Sequence, residues 1–150
     1  MATRDSELLE TLPRGRHGLP REAVRGSQRR RILQGMIEVV ADRGYAEARI
    51  SDAIEAAGVS RKTFYELFSD KEECFLAAYE EWTDRFTEIT VAAFERAGEA
   101  PWSERIAGAL AAYLEALAEN PAAARVCIVE VLAAGPKALA RRDAALRRFA

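Results

Sequence analysis

The chain is poor in the groups that enzymes and metal sites depend on. Its single histidine, His17, has no companion for metal ligation or acid–base work. The two cysteines, Cys74 and Cys127, lie too far apart in sequence for a metal-binding pair and read as reduced thiols of a cytoplasmic protein. There is no glycine-rich phosphate loop and no nucleophile–base pairing, so no catalytic residue, metal or cofactor is expected. No apolar run approaches the ~20 residues that span a bilayer, and the N-terminus lacks a signal-peptide core. Only three lysines accompany nineteen arginines, and alanine is abundant, a composition that suits a GC-rich genome. What remains, 49% hydrophobic with 31% charged residues, is the balance of a soluble globular protein. The 150 residues suit one domain, or a small domain joined to part of a larger one.

The formal net charge of −2 hides a division along the chain. From Arg14 to Arg31 there are seven arginines against one acid, Glu22; from Glu72 to Gly135 there are twelve acids against four basic residues. A basic N-terminal end suits phosphate, because neutralising phosphates releases counterions. The acidic remainder is expected to face away from nucleic acid. Residues 1–19, with Pro13, Gly15 and Gly18, have little periodicity and read as a flexible basic arm. Arg14 and Arg16 are candidates for an adjacent minor groove; incidental charge on a tail is the plainer alternative.

The chain is organised around Ile50–Lys71, ISDAIEAAGVSRKTFYELFSDK. Ile50, Ala53, Ile54 and Ala57 recur at i, i+3, i+4 and i+7, one face of a helix. Gly58 follows where a positive φ is needed, Val59 is apolar, and Ser60 is placed to cap a second helix, Arg61–Phe68. That helix turns Phe64 and Phe68 inward and leaves Arg61, Lys62, Thr63 and Tyr65 near the other side. Two helices joined by a glycine-containing turn, the second rich in donors, predict a DNA-reading helix-turn-helix. Arg61 and Lys62 can donate to guanine O6 and N7, and the Thr63 methyl can meet a thymine methyl. The competing readings are a solvated helix start for Arg61 and Lys62 and a core aromatic for Tyr65.

The pattern AGVSxxTFYxxFxxKE resembles the DNA-binding domain of the TetR family of bacterial regulators. Thr63, Tyr65, Phe68 and Lys71 stand at the family spacing, and QRRRILQGMIEVVADRGY is similar to the family's first helix. The arm PRGRHGLP and the opening ECFLAAY of the fourth helix fit a subset of that family. The resemblance implies that Tyr65 and Lys71 clamp phosphates, fixing register rather than reading bases. Arg49 stands where the family commonly has Thr and can still reach phosphate; Ser51 and Ser60 complete the DNA-contacting set. Two further departures are Ala53-Ile54, which reverses the usual Ile-Ala, and Leu67, which replaces a frequent His or aromatic.

The rest of the chain reads as helical. The first helix is expected from about Ser27 to Arg43, with an earlier start after Pro20 as the alternative that Gly26 opposes, and Gly44 ending it; Ile32, Leu33, Met36, Ile37, Val39 and Val40 are its core face, with Tyr45 packing beyond it. Ser69-Asp70-Lys71-Glu72 reads as a capping box in which Ser69 caps and Glu72 reaches back. Phe75, Tyr79, Trp82, Phe86, Ile89 and Ala93 then form a stripe more often core than ligand site. A break at Gly98 and Pro101 precedes a helix burying Ile106, Leu110, Tyr113 and Leu117, which stops at Asn120-Pro121. The next helix, with Val126, Cys127, Ile128, Val129, Val131 and Leu132, is apolar almost all round and so is expected to be interior. Gly135-Pro136 opens a seventh, with Leu139, Leu146 and Phe149 on one side and Arg141, Arg142, Arg147 and Arg148 on the other.

The fold expected is all-α: a three-helix helix-turn-helix domain over 20–71, then a helical ligand-binding and dimerisation domain over 72–150. The chain stops at Ala150 inside a running helix, so that second domain is expected to be truncated, with its dimer interface beyond residue 150. The expected function is sequence-specific DNA binding by a transcriptional regulator. The resemblance implies a homodimer on a double-stranded DNA operator, acting as a repressor released by a small-molecule effector. Trp82, Phe86, Trp102 and Tyr113 are the aromatic candidates for an effector pocket. The alternative is a helical partner-binding protein without specific DNA binding.

Overall fold

A computed structural model describes residues 20–148. The arm residues Arg14 and Arg16, with His17 and Phe149, lie outside the described residues. Seven α-helices and one short 3-10 helix account for the regular structure, with no strand among the described residues. A single apolar cluster runs through them, from Ile32 on the first helix to Ala138 on the last.

Helix α1 (Arg21–Arg43) is 23 residues long, about 35 Å at the helical rise. It begins directly after Pro20 and passes through Gly26, earlier than the Ser27 start expected. Gly26 is exposed, and a Cβ there would meet nothing within 4 Å. One exposed glycine costs a helix only about 1 kcal/mol, too little to interrupt one whose later turns bury Ile32, Leu33, Met36, Ile37 and Val40.

Helix α2 (Ile50–Ala57) crosses α1 at close range. A Cβ on Gly35 would lie 2.9 Å from the Ala53 carbonyl oxygen, 3.2 Å from the Ala56 Cβ and 3.3 Å from the Ala57 nitrogen. The backbones meet there because neither helix carries bulk at the crossing. Ala53 and Ala57 are buried, while Ile50 and Ile54 are only half-buried at its edge. The Ala53-Ile54 order thus puts the small residue where the helices touch.

Helix α4 (Lys71–Arg96), 26 residues long, buries Cys74, Phe75, Ala78, Tyr79 and Phe86, with Trp82 and Ile89 partly covered. Its cap is displaced by one residue from the box expected. Asp70 is the N-cap, its Oδ1 accepting from the Glu73 amide at 2.8 Å, and Glu73 Oε2 accepts from the Ser69 amide and hydroxyl at 2.6 and 2.5 Å. Asp70 thus makes one half of a capping box, while Glu73 reaches past the N-cap to Ser69, and the hydrogen bonds to Ser69 hold the Glu73 carboxyl below its usual range. Glu72 is thereby left to pair with Lys137 at 2.6 Å.

Helices α5 (Trp102–Glu119), α6 (Pro121–Ile128) and α7 (Pro136–Arg147) complete the body, with the 3-10 helix Glu130–Ala133 between the last two. Three burial expectations are overturned here. On α5 the buried residues are Ala109 and Ala116, whereas Ile106 and Leu110 are exposed and Tyr113 and Leu117 half-buried. Small residues let α5 lie close on α4, which turns the larger ones outward. After α6 the helix tightens to 3-10, so Val126 and Val131 are buried but Ile128, Val129 and Leu132 are exposed. On α7 the buried residue is Ala138; Leu139 and Leu146 are exposed, and part of the arginine face lies against α4. Lys137 meets Glu72, Arg141 meets Glu80, and Arg148 meets Asp84 at 2.5 Å.

Two glycine substitutions separate the packing argument from the propensity argument. Gly35→Ala should destabilise the protein by about 1–3 kcal/mol, because the Cβ meets backbone rather than a flexible side chain. Gly26→Ala, on open helix surface, should stabilise by about 0.5–1 kcal/mol. Urea unfolding checks both, and equal effects of the two would contradict the close crossing.

Candidate nucleic-acid interface

Helix α3 (Arg61–Leu67) follows α2 through Gly58, whose φ of 61° and ψ of 40° are left-handed. Ser60 caps α3 as expected: its Oγ accepts from the Thr63 amide at 3.0 Å and lies 2.8 Å from Thr63 Oγ1. Phe64 and Phe68 are buried with ring centroids 5.7 Å apart, and Val59 and Leu67 pack partly against the same core. Anchoring one side of a seven-residue helix fixes what the other side offers. Arg61, Lys62 and Glu66 are exposed there, and Tyr65 is 47% exposed rather than a core aromatic. The Arg61 guanidinium lies 5.8 Å over the Tyr65 ring, and Lys62 pairs loosely with Glu66 at 3.8 Å.

Arg25, Arg29 and Arg31 of α1 are engaged within the protein. Arg25 Nη2 donates to the Glu66 carbonyl near the end of α3 at 3.2 Å, and Arg31 Nη1 donates to the Ala57 carbonyl closing α2 at 3.0 Å. Arg29 lies 5.8 Å over the Phe68 ring and pairs with Glu81 at 3.4 Å. The last carbonyls of a helix have no intrahelical donors, and a cation there also meets the negative end of the dipole. Part of the basic run thus positions the two helices of the motif.

Lys71 is likewise committed. Its Nζ donates to the Tyr45 and Ala48 carbonyls at 2.8 and 3.0 Å and sits 4.4 Å from the Tyr45 ring centroid. Tyr45 in turn packs edge-on against Phe75 at 4.7 Å. From the body, Glu130 Oε2 accepts the Tyr45 amide at 3.2 Å, while its Oε1 pairs with Arg125 at 3.2 Å. The loop between α1 and α2 is therefore held by a cation on its carbonyls and an anion on its amide. Arg49, which follows it, is exposed, with its amide on Asp52 Oδ2 at 3.2 Å; Asp52 also pairs with Arg43 at 3.1 Å, and Ser51 is exposed. Glu130, 8% exposed, was not singled out from sequence because its partner is 85 residues away.

Between α4, α5, α6 and α7 lies a half-open cavity of about 200 Å³, lined by Tyr79, Thr83, Phe86, Thr87, Tyr113, Cys127, Ile128, Arg142, Ala145 and Leu146. Of the four aromatic candidates, Phe86 and Tyr113 line it, with ring centroids 6.2 Å apart. Trp82 instead faces a wide cleft between α1 and α4, and Trp102, 68% exposed, meets Phe94 edge to face. Sequence reasoning missed Tyr79, Thr83, Thr87 and Arg142 as lining residues. The signal was present in Thr83, Thr87 and Thr90, which place hydroxyls at i, i+4 and i+7 along an otherwise apolar face. Their Oγ1 atoms donate back to the Tyr79, Thr83 and Phe86 carbonyls at 2.9, 2.7 and 2.7 Å. Burial pushes the Tyr79 phenol and the Cys127 thiol up to about 12, so both are neutral donors at pH 7.

Removing the anion from the loop should be measurable. Glu130→Ala leaves the Tyr45 amide without its acceptor and Arg125 without its partner, and should cost about 1–3 kcal/mol. Hydrogen exchange at the Tyr45 amide should accelerate; unchanged exchange would contradict the contact.

The same molecule can be set beside known proteins. Residues 32–78 match the model for bacterial regulatory proteins of the tetR family. The HTH-type transcriptional regulator YvdT of Bacillus subtilis is 46% identical over 41 residues, 27% of this chain and 21% of that protein. The HTH-type transcriptional activator FasR of Mycolicibacterium smegmatis is 38% identical over 66 residues, 44% of this chain and 28% of that protein. The matched stretches thus span less than a third of either relative. A crystal structure of a TetR family transcription regulator from Marinobacter aquaeolei superposes with a TM-score of 0.74 at 22% identity, over 85% of this chain and 66% of that one, a likeness of fold. Over residues 32–78 the chain carries the head of the tetR family of bacterial regulatory proteins, within an all-α fold like that of a TetR family regulator.

Proposed function

We propose that the chain is a sequence-specific DNA-binding repressor that works as a homodimer and is released by a small-molecule effector. The observation that carries this reading is α3, pinned by Phe64 and Phe68 with Arg61, Lys62 and Tyr65 outward. Residues 20–71 are the reading head, 72–150 the ligand-binding and dimerisation part, and 1–19 an arm on the DNA. Arg61, Lys62 and Thr63 enter the major groove, with the arginine and lysine donating to guanine and the threonine methyl on thymine. Tyr65, Arg49, Ser51 and Ser60 hold phosphates and set register. Lys71 spends two of its three donors on the 45–48 loop, which leaves one for phosphate. Two heads on a dimer read half-sites about 34–36 Å apart.

Release follows from the path between cavity and head. Cys127 and Ile128 line the cavity at the end of α6, and two residues later Glu130 holds the Tyr45 amide. An effector that reshapes the end of α6 disturbs the loop that leads into α2. Operator and effector then oppose each other by equal coupling free energies. The name of one relative, a transcriptional activator, favours a second reading in which the same head recruits rather than blocks transcription. The position of the operator relative to the promoter separates the two.

Binding to genomic fragments, followed by fluorescence anisotropy across a salt series, tests the reading. Log affinity should fall with log salt by about 0.9 for each phosphate neutralised. Arg61→Ala should cost about 1–3 kcal/mol at one or two base positions and relax preference there. Lys71→Ala should weaken all sequences alike, flatten the salt slope by about one phosphate and lower the melting temperature, since two loop carbonyls lose their donor. A Lys71→Ala protein with altered base preference would contradict the division into clamps and readers. Binding without any salt-dependent sequence selection would favour a partner-binding protein instead.

A further inference from the structure

We propose that the cavity between α4 and α7 takes a small monocarboxylic acid, with Arg142 on its carboxylate and an apolar body the size of one aromatic ring. The inference rests on the effector reading and names the chemistry of that site. Arg142 is the charged side chain that lines the cavity, and no carboxylate is among the lining residues. Its salt-bridge partner is its exposed sequence neighbour Asp143, Nη1 to Oδ1 at 3.5 Å, the weakest of α7's ion pairs. Lys137, Arg141 and Arg148 of the same helix are by contrast anchored on Glu72, Glu80 and Asp84 of α4. Their anchoring fixes α7 and leaves the Arg142 fork available for bidentate pairing with a carboxylate.

The phenols at the cavity favour an acceptor as well. Thr83 and Thr87 donate their hydroxyl protons to carbonyls of their own helix, so they add no donor for the carboxylate. The Tyr79 and Tyr113 phenols stay protonated because burial raises both, and so remain donors. The Arg142 charge lowers the Tyr79 phenol against that trend, which places the cation within electrostatic reach of it. Phe86, Ile128, Ala145 and Leu146 supply the apolar wall, and Ile128 and Leu146 keep about half their surface in solvent for a ligand to cover. A volume of about 200 Å³ exceeds the ~150 Å³ that takes up benzene, leaving room for a carboxylate beside the ring.

Binding of matched probes to the full 150-residue chain tests this: benzoate and hexanoate against benzyl alcohol, hexanol and benzylamine, followed by calorimetry and thermal shift. The acids should bind at least about tenfold tighter than the neutral alcohols, as a charge-assisted hydrogen bond gives, and benzylamine weakest. Arg142→Gln should erase that preference while leaving alcohol binding in place, and Arg142→Lys should restore part of it. Alcohols binding as tightly as acids, or an acid preference that survives Arg142→Gln, would overturn the carboxylate assignment and leave the cavity as an effector site. No binding by any probe, acid or neutral, would overturn both the assignment and the cavity's role as effector site.

Discussion

The structure turns on a short loop gripped from two sides by opposite charges. Between α1 and α2, Lys71 holds the carbonyls of Tyr45 and Ala48, and Glu130 holds the amide of Tyr45. Each charge satisfies peptide groups that lie outside any helix, so each contact does the work of a backbone hydrogen bond with charge added. Lys71 opens α4, and Glu130 belongs to the 3-10 helix beyond α6. The first residues of the motif's leading helix are thus set by two elements of the body. Without that grip, α2 and α3 would be tied to the body mainly through α1.

Charge elsewhere in the head is used the same way. Arg31 closes α2 and Arg25 meets the end of α3, each on a carbonyl that the helix itself cannot satisfy. The cost of such an arrangement is that Arg31 is partly withdrawn from solvent. Its return is angular precision in a helix of only seven residues, which could not hold its own orientation. Arg61, Lys62 and Tyr65 stay outward because Phe64 and Phe68 are locked and the ends are tied.

Much of the fold was legible in the sequence. The all-α class, the helix-turn-helix, the Ser60 cap, the breaks at Gly98 and Gly135 and the Pro136 start all follow from local chemistry that needs no distant partner. What was misread depends on such partners. The N-cap is Asp70 rather than Ser69, and Glu73 rather than Glu72 reaches back, to Ser69, while Lys137 from α7 engages Glu72. The large apolar residues of α5 were assigned to the core, yet alanines occupy it, because close approach of two helices favours small side chains over hydrophobic ones. Within the basic run, Arg25 and Arg31 meet carbonyls of the motif's helices. For the cavity, two of the four aromatic candidates, Phe86 and Tyr113, line the wall; the threonines were visible but unremarked, and Arg142 could be placed only by the docking of α7.

The central claim is that α3 reads DNA in a geometry imposed by the rest of the head. Selection of duplexes from a random pool by a form of the protein that dimerises tests it most directly. The account predicts enrichment of an inverted repeat with half-site centres about one helical turn apart, whose recovered pattern relaxes at one or two positions when Arg61 is replaced by alanine. A pool that stays random through successive rounds, or a motif indifferent to Arg61, would contradict it.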